Sequence, residues 1–463
     1  MANIRPFRGL LYHPEKVGEL KAVMAPPYDV ISPERQEILY RRHPNNIVRL
    51  ILGKTTPTDV TGSDRYSRAA AELYKWTEEG VLGRDETPAI YYYTQTYGLP
   101  GGGSGGRGGR RERKGFIALS RIEEPGKGSI HAHERTLSGP KADRLNLMKA
   151  CRANFSCIFT LYSDPELRVN GLLEGGADGE PMIGKPMIGS PMIEVADDDG
   201  TENRLWRISA PDVIDGVCAA MRKKALFIAD GHHRYETALN YRNMMREGSG
   251  DGGEEGEEPF DYVMTYFSNM DEEGLSVFPT HRVVHSLGGF EPTGFLKKCG
   301  EYFDIEELPF DEGSEAAARD ELLKKLGEGG EGGQARFGLR IKGEDRYHLL
   351  TLDKTGIMDE LFGDAIPEVY KSLDVTVLHS LILDKILGIT REAQEAQTNI
   401  RYVKDTGDAL EAATEDANQL AFIMNPTKVG EIREVSEAGL LMPQKSTYFY
   451  PKLLSGLVIN PLD

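Results

Sequence analysis

Cysteine, positive charge and long apolar runs are all scarce in this chain. Only four of the 463 residues are cysteine, and none stands in a Cys-x-x-Cys spacing. Neither a zinc cage nor a disulfide framework is therefore indicated. No apolar run approaches the roughly 20 residues of a membrane-spanning helix, and the N-terminus lacks the apolar segment of a signal peptide. We therefore expect a cytoplasmic protein without a membrane partner.

The charge balance narrows the classes of partner. The chain carries 55 Lys and Arg against 73 Asp and Glu, a net charge of −18. This balance argues against a broad surface for nucleic acid, although a small basic pocket stays possible. Neither an H-E-x-x-H helix nor the signature set of a protein kinase is present, so zinc proteolysis and protein-kinase chemistry lack support.

Four stretches rich in glycine or acidic residues interrupt the better patterned sequence. They cover residues 98–109, 171–200, 248–258 and 327–333. Their composition cannot supply a packed face, so we predict solvated loop insertions.

Two of these insertions contain misleading nucleotide-binding motifs. Gly101, Gly103 and Gly106 match G-x-G-x-x-G only because nearly every residue there is glycine. The run from Gly179 to Lys185 has P-loop spacing, but Pro186 replaces the required Ser or Thr and no helical pattern follows. We reject both motifs, because neither lies in a strand–loop–helix context.

Between the insertions, strand and helix patterns predict an α+β fold with a mixed sheet. The predicted strands cover 90–97 and 115–122 (a long hairpin), 158–162 and 263–267, and the predicted helices cover 65–79, 235–246, 315–326, 375–387 and 407–419. A boundary near Gly288 would separate a domain over 1–288 from a C-terminal α+β section over 289–463.

The most informative segment is Ala225–Leu239. An apolar run is followed by a glycine, two histidines and an arginine, and then by apolar residues at helical spacing, which predicts a strand, a tight loop and a helix. Cationic side chains at a helix N-terminus cost stability unless an anion joins them. Asp230, Gly231, His232, His233 and Arg234 therefore predict a phosphate or carboxylate site. Alternatively, Asp230 caps the helix while the histidines pack or face solvent.

A second candidate is the proline-fixed loop Ala25–Pro33. Such a rigid loop can present one acid, here Asp29. Equally, Ser32 or Asp29 could only cap a helix that starts near Pro33.

Histidines and arginines elsewhere supply further candidates. His131 and His133 would share one face of an extended segment, with Glu134 on the other, and form either a satisfied polar pair or part of a metal site. Arg144 follows in a predicted polar, ligand-capable loop, and Arg282 ends a predicted strand and could add a cation. The donor-rich segment 442–452 is either functional or a surface turn before a final strand.

Four of these strings, taken in order, resemble the DUF1015 family. They are Ala-Pro-Pro-Tyr-Asp-Val-Ile, His-Glu-Arg-Thr followed by Asp-Arg, Ala-Asp-Gly-His-His-Arg-Tyr-Glu-Thr-Ala-Leu, and Met-Pro-Gln-Lys-Ser-Thr-Tyr-Phe-Tyr-Pro-Lys. The resemblance implies a ParB/sulfiredoxin-like mixed-sheet core over 1–288, with insertions at 98–109, 171–200 and 248–258. Members of that superfamily place a Gly-x-x-Arg turn against nucleotide phosphates. The phosphate loop of its free serine kinase has the form Asp-Gly-His-x-Arg, which matches Asp230–Arg234. Sulfiredoxin carries its cysteine where His232 stands, so sulfinic-acid repair is not expected.

The resemblance implies phosphoryl transfer on a small metabolite, with free serine or phosphoserine as the best guess in either direction. It implies Mg²⁺ with a nucleoside di- or triphosphate, Gly231 as part of the phosphate cradle, and Asp230 orienting a histidine or holding Mg²⁺. Asp29, or else Glu134, would handle the hydroxyl proton. Charge neutralisation is assigned to His232, His233, Arg234, Arg144 and Arg282.

Two other functions stay open from the sequence. One is a nucleotide-binding switch without turnover, in the manner of ParB. The other is a metal-dependent hydrolase, which would use His131, His133, His232 and His233 and would contain bound zinc or manganese.

Overall fold

The computed structural model describes residues 2–99, 109–124, 126–134, 138–175, 190–249 and 258–463. The strands are β1 Ile4–Arg5, β2 Leu10–Tyr12, β3 Leu82–Arg84, β4 Ile90–Gly98, β5 Arg110–Arg121, β6 Ile130–His131, β7 Ala153–Asn154, β8 Ile158–Tyr162, β9 Ile193–Ala196, β10 Glu202–Ile208, β11 Leu226–Asp230, β12 Tyr262–Asn269, β13 Ser276–Phe278, β14 His281–His285, β15 Phe303–Pro309, β16 Arg336–Ile341, β17 Arg346–Leu352, β18 Ile400–Val403, β19 Asn418–Met424, β20 Tyr448–Tyr450 and β21 Asn460–Pro461.

Helices alternate with these strands. The α-helices are α1 Pro14–Val17, α2 Leu20–Val23, α3 Pro33–Arg42, α4 Val48–Ile51, α5 Arg65–Glu78, α6 Ser138–Cys151, α7 Arg168–Gly175, α8 Pro211–Met221, α9 His232–Ser249, α10 Pro292–Cys299, α11 Glu315–Gly332, α12 Gly356–Phe362, α13 Glu368–Lys371, α14 Asp374–Val377, α15 Arg391–Ala396, α16 Thr406–Ala412 and α17 Val429–Glu437. Short 3-10 turns cover Tyr28–Val30 and Pro259–Asp261, and a π-helix covers Leu378–Ile386.

The chain packs into two compact units. The first unit consists of Met1–Ala132, Thr136–Ser276 and Pro451–Asp463, and the second of His133–Arg135 and Val277–Tyr450. The first unit is therefore built from three stretches of chain. The domain boundary near Gly288 stays a prediction.

The first unit is built on a nine-stranded mixed sheet. Its order is β6-β11-β8-β12-β5-β4-β10-β9, with β1 also paired to β5. The pairs β6–β11 and β8–β12 are parallel, and the other pairs are antiparallel. The predicted hairpin of β4 and β5 is confirmed, as is the predicted α+β class with a mixed sheet.

Local sequence explains the best predicted helix of this unit, α5. Asp64 accepts hydrogen bonds from the backbone N–H groups of Tyr66 (3.0 Å) and Ser67 (2.9 Å), and the Ser67 hydroxyl accepts one from the Asp64 N–H (2.9 Å). This reciprocal capping box satisfies N–H groups that a helix start otherwise leaves unpaired. Ala69 and Trp76, seven residues apart on one face, are buried in the core.

The second unit contains a six-stranded antiparallel sheet of order β15-β17-β16-β19-β14-β18. The predicted helix over 407–419 is only partly correct, because α16 ends at Ala412 and β19 begins at Asn418. Leu420–Met424 is a fully buried run between β16 and β14, and sheet pairing there overrides the local helical pattern.

The glycine-rich stretches are more ordered at their edges than we predicted. Helix α11 continues through most of 327–333, and α7 and β9 occupy the two ends of 171–200. Val169 and Leu173 of α7 pack into the core, which the glycine content of the stretch had obscured. Both rejected motifs, in 101–106 and 179–185, lie outside the described residues.

Candidate functional site

The predicted strand–loop–helix around Asp230 is confirmed. The buried apolar residues Leu226–Ala229 form most of β11, and α9 begins at His232, three residues earlier than predicted. The Tyr235 N–H donates the first helical hydrogen bond, to the Gly231 carbonyl, at 2.8 Å. The amide groups of His232 and its neighbours thus form the first turn of a helix, the end that carries partial positive charge.

Gly231 is required at this turn for two separate reasons. Its φ is +93°, in the left-handed region that favours glycine. A Cβ atom at this position would also lie only 3.1 Å from Cζ, Nε and Nη2 of Arg234. The arginine side chain therefore folds back over the glycine, and its Nη1 donates to the carbonyl oxygen of Cys157.

Asp230 neutralises part of the positive charge at this helix start. Its carboxylate lies 2.9 Å from Lys452 Nζ and 3.6 Å from Arg234 Nη2. Burial alone would raise the pKa of Asp230, but Lys452, Arg234 and His232 lower it far below the usual value for a carboxyl group. The chain thus supplies one counter-charge of its own, which the sequence-based prediction had assigned to a ligand.

The two histidines occupy different environments. His232 is buried and close enough to Asp230 to lower its pKa, whereas His233 is only half-buried. The Thr237 hydroxyl donates to the His233 carbonyl at 2.7 Å, which fixes the backbone of the first helical turn. The roles assigned to both histidines stay predictions.

Asp29 lies in the 3-10 turn Tyr28–Val30, and its carboxylate is exposed. Ser32, not Asp29, caps α3, because its hydroxyl accepts from the Arg35 N–H at 3.2 Å. The negative charge of Asp29 contributes to raising the pKa of Arg234, so the two groups are electrostatically coupled. The Asp29 carboxylate is therefore not used as the cap of α3.

Arg144 belongs to the same neighbourhood, but it lies in helix α6 and not in the loop that we predicted. It is buried, donates to Asp143 (2.8 Å from Nε) and to the Ile51 carbonyl (2.7 Å), and its guanidinium lies 3.9 Å from the centre of the Tyr28 ring. Burial raises the pKa of Tyr28, and the positive charges of Arg234 and Arg144 oppose this shift only in part.

These side chains border a small cavity of about 50 Å³. Its charged and polar lining includes Tyr28, Arg144, Arg234 and Thr237, and the rest is mostly apolar. A single water requires about 10–15 Å³ by the same measure, so the cavity has room for a few water-sized groups. It can hold a phosphate-sized group but not a nucleoside.

Two predicted residues, Glu134 and Arg282, belong to the second unit instead. Arg282 is 1% exposed and donates to the carbonyls of Thr280 and Lys445 and to His379 Nε2 (3.2 Å). Glu134 Oε1 accepts from the Lys445 N–H at 3.2 Å. The neighbouring Arg135 and Thr136 lie outside the described residues.

The histidines proposed for a metal site are divided between the units. His131 stacks on Phe227 in the first unit (5.3 Å between ring centres), and His133 Nε2 lies 3.1 Å from the Thr447 hydroxyl in the second. Within the described parts of the chain, no group of three or more His, Cys, Asp or Glu side chains could hold a metal ion. The four cysteines there are free thiols.

Lys452 is the residue of this site that sequence reasoning did not select. It ends the donor-rich segment 442–452, and nothing local distinguishes it from the other donors there. Its pairing with Asp230, 222 positions earlier, is a property of the folded chain. No helix in the described ranges is long and apolar enough to cross a membrane.

Comparison with solved structures finds weak likenesses. A free serine kinase in complex with AMP is 12% identical with a TM-score of 0.32, over 72% of this chain and 86% of that one. A conserved hypothetical protein from Pyrococcus furiosus is 12% identical with a TM-score of 0.31, over 72% and 90%. SbnI with a C-terminal truncation, from Staphylococcus aureus, is 10% identical with a TM-score of 0.33, over 75% and 87%. Scores this low carry no functional inference.

Comparison with protein families is more decisive. No functionally curated protein matches the chain. A family model described as a protein of unknown function, DUF1015, matches residues 4–376. Since this match covers well over half of the sequence, the chain belongs to the DUF1015 family.

Proposed function

We propose that the Asp230–Arg234 loop binds a phosphate group and that the protein transfers a phosphoryl group to or from a small metabolite. The observation that carries this proposal is the position of Arg234, whose guanidinium covers Gly231 at the N-terminus of α9 and borders a phosphate-sized cavity. Backbone N–H groups and an arginine fork together are a common anion site.

The charges around the loop leave room for an anion. Four cations lie in this neighbourhood, Arg65, Arg144, Arg234 and Lys452, against three carboxylates, Asp29, Asp143 and Asp230. The partial positive charge of the helix start adds to this small excess. Apolar cavity walls would strengthen the attraction for a phosphate, because they lower the local dielectric constant.

Asp29 is the proposed acid–base partner. Phosphoryl transfer depends mainly on positioning and charge neutralisation, with one group placed to take the proton of the attacking hydroxyl. In the kinase direction that oxygen bonds to phosphorus as the bond to the leaving oxygen breaks, and Asp29 accepts the proton. Its exposed carboxylate and its coupling to Arg234 support this role over that of Glu134, whose carboxylate accepts a hydrogen bond from the Lys445 N–H.

The finer features of the proposal depend on the sequence motifs. We propose a ParB/sulfiredoxin-like core, and free serine or phosphoserine as the metabolite. A protein-held Mg²⁺ fits less well, because both Asp230 oxygens face cations, Lys452 and Arg234. If the reaction uses Mg²⁺, the ion would be bound mainly by the nucleotide phosphates.

Phosphorus NMR can test turnover directly. The full chain would be incubated with ATP, ADP or CTP plus serine, and separately with phosphoserine plus AMP. We expect phosphoryl exchange in at least one mixture, and its loss in Arg234→Ala. The exposed Arg222→Ala is a matched control that should retain activity. Equal activity in Arg234→Ala would remove that residue from the mechanism.

The same samples separate the proposal from its rivals. Nucleotide binding that depends on Arg234, without turnover in any mixture, would favour the non-catalytic switch. Stoichiometric zinc or manganese in the purified protein would favour the hydrolase. If the protein neither binds a nucleotide nor turns over any mixture, the phosphate-loop proposal is wrong.

A further inference from the structure

The described lining of a second, larger pocket belongs to the second unit. Its volume is about 290 Å³, just below the range of roughly 300–1,000 Å³ that is typical of drug-sized ligands. The π-helix Leu378–Ile386 forms one wall, and α12, α13, α15 and β18 contribute the others. The size suits a small metabolite.

The π-helix explains how two of the lining residues face the same space. The Leu387 N–H donates to the Ile382 carbonyl, five residues earlier, at 3.0 Å. In an α-helix His379 and Asp384 would be rotated by about 140° from each other. Wider π turns bring residues five apart towards one face, and π segments are frequent at functional sites. Both residues line the pocket.

The floor of the pocket is a rigid polar network. His379 Nδ1 lies 2.8 Å from Gln394 Oε1, and its Nε2 accepts from Arg282 Nε. The Gln394 amide donates to the carbonyls of His379 (3.1 Å) and Ile389 (2.8 Å). Burial, followed by the charge of Arg282, lowers the pKa of His379 to about 3, so the ring is neutral at physiological pH. It presents a fixed ring rather than a titrating base.

The exposed lining residues of the pocket carry charges of both signs, on Asp384, Arg391 and Glu395. Asp384 is exposed near the C-terminal end of the π-helix, where partial negative charge disfavours an anion. No cation of the described residues lies within 4 Å of its carboxylate. Arg391 is paired with Glu395, at 3.2 Å, and both side chains are about half exposed. Such a pair contributes little stability and is easily exchanged.

Three aromatic side chains also line the pocket. Phe362 and Tyr370 stand at 86° to each other with their ring centres 5.8 Å apart, and Tyr402 lines the pocket beside them. Perpendicular rings offer both faces and edges to an apolar group. A ligand that matches this pocket carries one positive group, one negative group and an apolar body.

We propose that this pocket binds a free α-amino acid with an apolar or aromatic side chain. The ammonium group would meet Asp384, the carboxylate would meet Arg391 in place of Glu395, and the side chain would pack against Phe362, Tyr370 and Tyr402. The proposal is independent of the phosphate loop and would give the second unit a ligand of its own.

Calorimetry on the full chain can test each charge separately. L-phenylalanine, L-leucine and L-tryptophan are the probes, with N-acetyl-L-phenylalanine and L-phenylalaninamide as analogues that each lack one charge. L-serine tests whether binding needs an apolar side chain, and adenosine tests whether it needs the two charges of an amino acid. We expect the apolar amino acids to bind, and each analogue to bind at least about tenfold more weakly, because it loses one charge-assisted contact.

Exposed variants then assign the two charges. Asp384→Asn should weaken the binding of L-phenylalanine about tenfold but leave the binding of N-acetyl-L-phenylalanine unchanged. Arg391→Gln should also weaken the binding of L-phenylalanine about tenfold, but leave the binding of L-phenylalaninamide unchanged. Glu392→Gln, an exposed neutralisation outside the lining, is the control and should change nothing. Three outcomes would each overturn the proposal: undiminished binding of both analogues, binding of adenosine but of no amino acid, or no binding of any probe.

Discussion

Two arginines, the half-buried Arg234 of the first unit and the buried Arg282 of the second, show how differently the same residue can be used. Arg234 has acidic partners: burial lowers its pKa, but Asp230 and Asp29 raise it above the usual value. Arg282 lies among carbonyl groups and His379, and burial lowers its pKa to about 10, with Tyr402 and Glu134 opposing the shift only in part.

In our proposal Arg234 is a binding arginine, whereas Arg282 is a structural one. Arg234 donates one described hydrogen bond to a carbonyl and has a loose ion pair at 3.6 Å, so several of its five N–H donors can turn to a ligand. Arg282 has donors on all three nitrogens directed at protein acceptors. Both follow a histidine in the sequence, so adjacency to histidine does not distinguish them.

The largest expected effect is on phosphate handling. Arg234→Gln should lower turnover or phosphate affinity about 100-fold, the usual loss when one donor to a charged oxygen is removed. Arg282→Gln should leave both unchanged at a temperature at which it is folded. Titration with inorganic phosphate and with ATP would measure this, and an equal loss in the two variants would break the comparison.

The next effect is on stability, where we expect the substitution of Arg282 to cost more than the substitution of Arg234. Arg282→Ala should lower the free energy of unfolding of the second unit by about 3 kcal/mol, because two carbonyls and His379 lose a buried donor. Arg234→Ala should cost less. Hydrogen exchange of the β14 and β19 amides would follow the second unit separately. A smaller loss for Arg282→Ala than for Arg234→Ala would contradict the structural role.

A glycine pair isolates the contact between Gly231 and Arg234. Gly231→Ala should destabilise the protein by about 1–2 kcal/mol through its positive φ, with a further loss of phosphate affinity as the guanidinium is displaced. Gly200 is the control, since its φ of +79° is similar but nothing lies within 4 Å of an added Cβ. Thermal melts and phosphate titrations of both variants would measure this. Loss of affinity in Gly200→Ala would show that backbone strain alone is responsible.

The smallest expected effect is a difference in pH dependence. His379, with its pKa lowered to about 3, stays neutral in the folded protein while the unfolded chain takes up a proton near pH 6.5. Stability is therefore lost as the pH falls below about 6.5, by about 1.4 kcal/mol between pH 7.5 and 5.5 for this group. His281, with its pKa lowered to about 4, adds a similar loss.

The pKa of Asp230 in the first unit is also lowered, but for a carboxyl group this shift favours the charged form. Its stabilising contribution is present above the unfolded carboxyl pKa near 3.9 and is lost only as the pH falls below that value. Denaturant melts at pH 7.5 and 5.5 would test the contribution of His379. The free energy of unfolding should fall between these pH values in the wild type, and this fall should be about 1.4 kcal/mol smaller in His379→Gln. An unchanged loss would contradict this assignment.

Local patterns predicted much of the fold and of the loop. The hairpin of β4 and β5, helix α5 and the strand–loop–helix at Asp230 follow from short-range periodicity, capping and the glycine turn. Arg144, proposed from its polar segment, does lie beside Arg234 at the cavity.

Other features depend on distant parts of the chain and could not be predicted. The pairing of Lys452 with Asp230 has no local signal, and neither does the assignment of Glu134 and Arg282 to the second unit. The predicted helix over 375–387 is helical throughout 378–386, but its π form depends on tertiary packing. Sequence periodicity is too similar for the two helix types to distinguish them.

The return of Pro451–Asp463 to the first unit has a consequence for biosynthesis. Ile459 exchanges backbone hydrogen bonds with Leu10, β21 pairs with β7, and Lys452 reaches Asp230. A ribosome adds roughly 5–20 residues per second, so the stretch from Val277 to Tyr450 occupies roughly 10–35 seconds of synthesis. During that interval the emerging first unit lacks its last strand and its lysine. The ion pair between Lys452 and Asp230 can form only after the entire second unit has been translated.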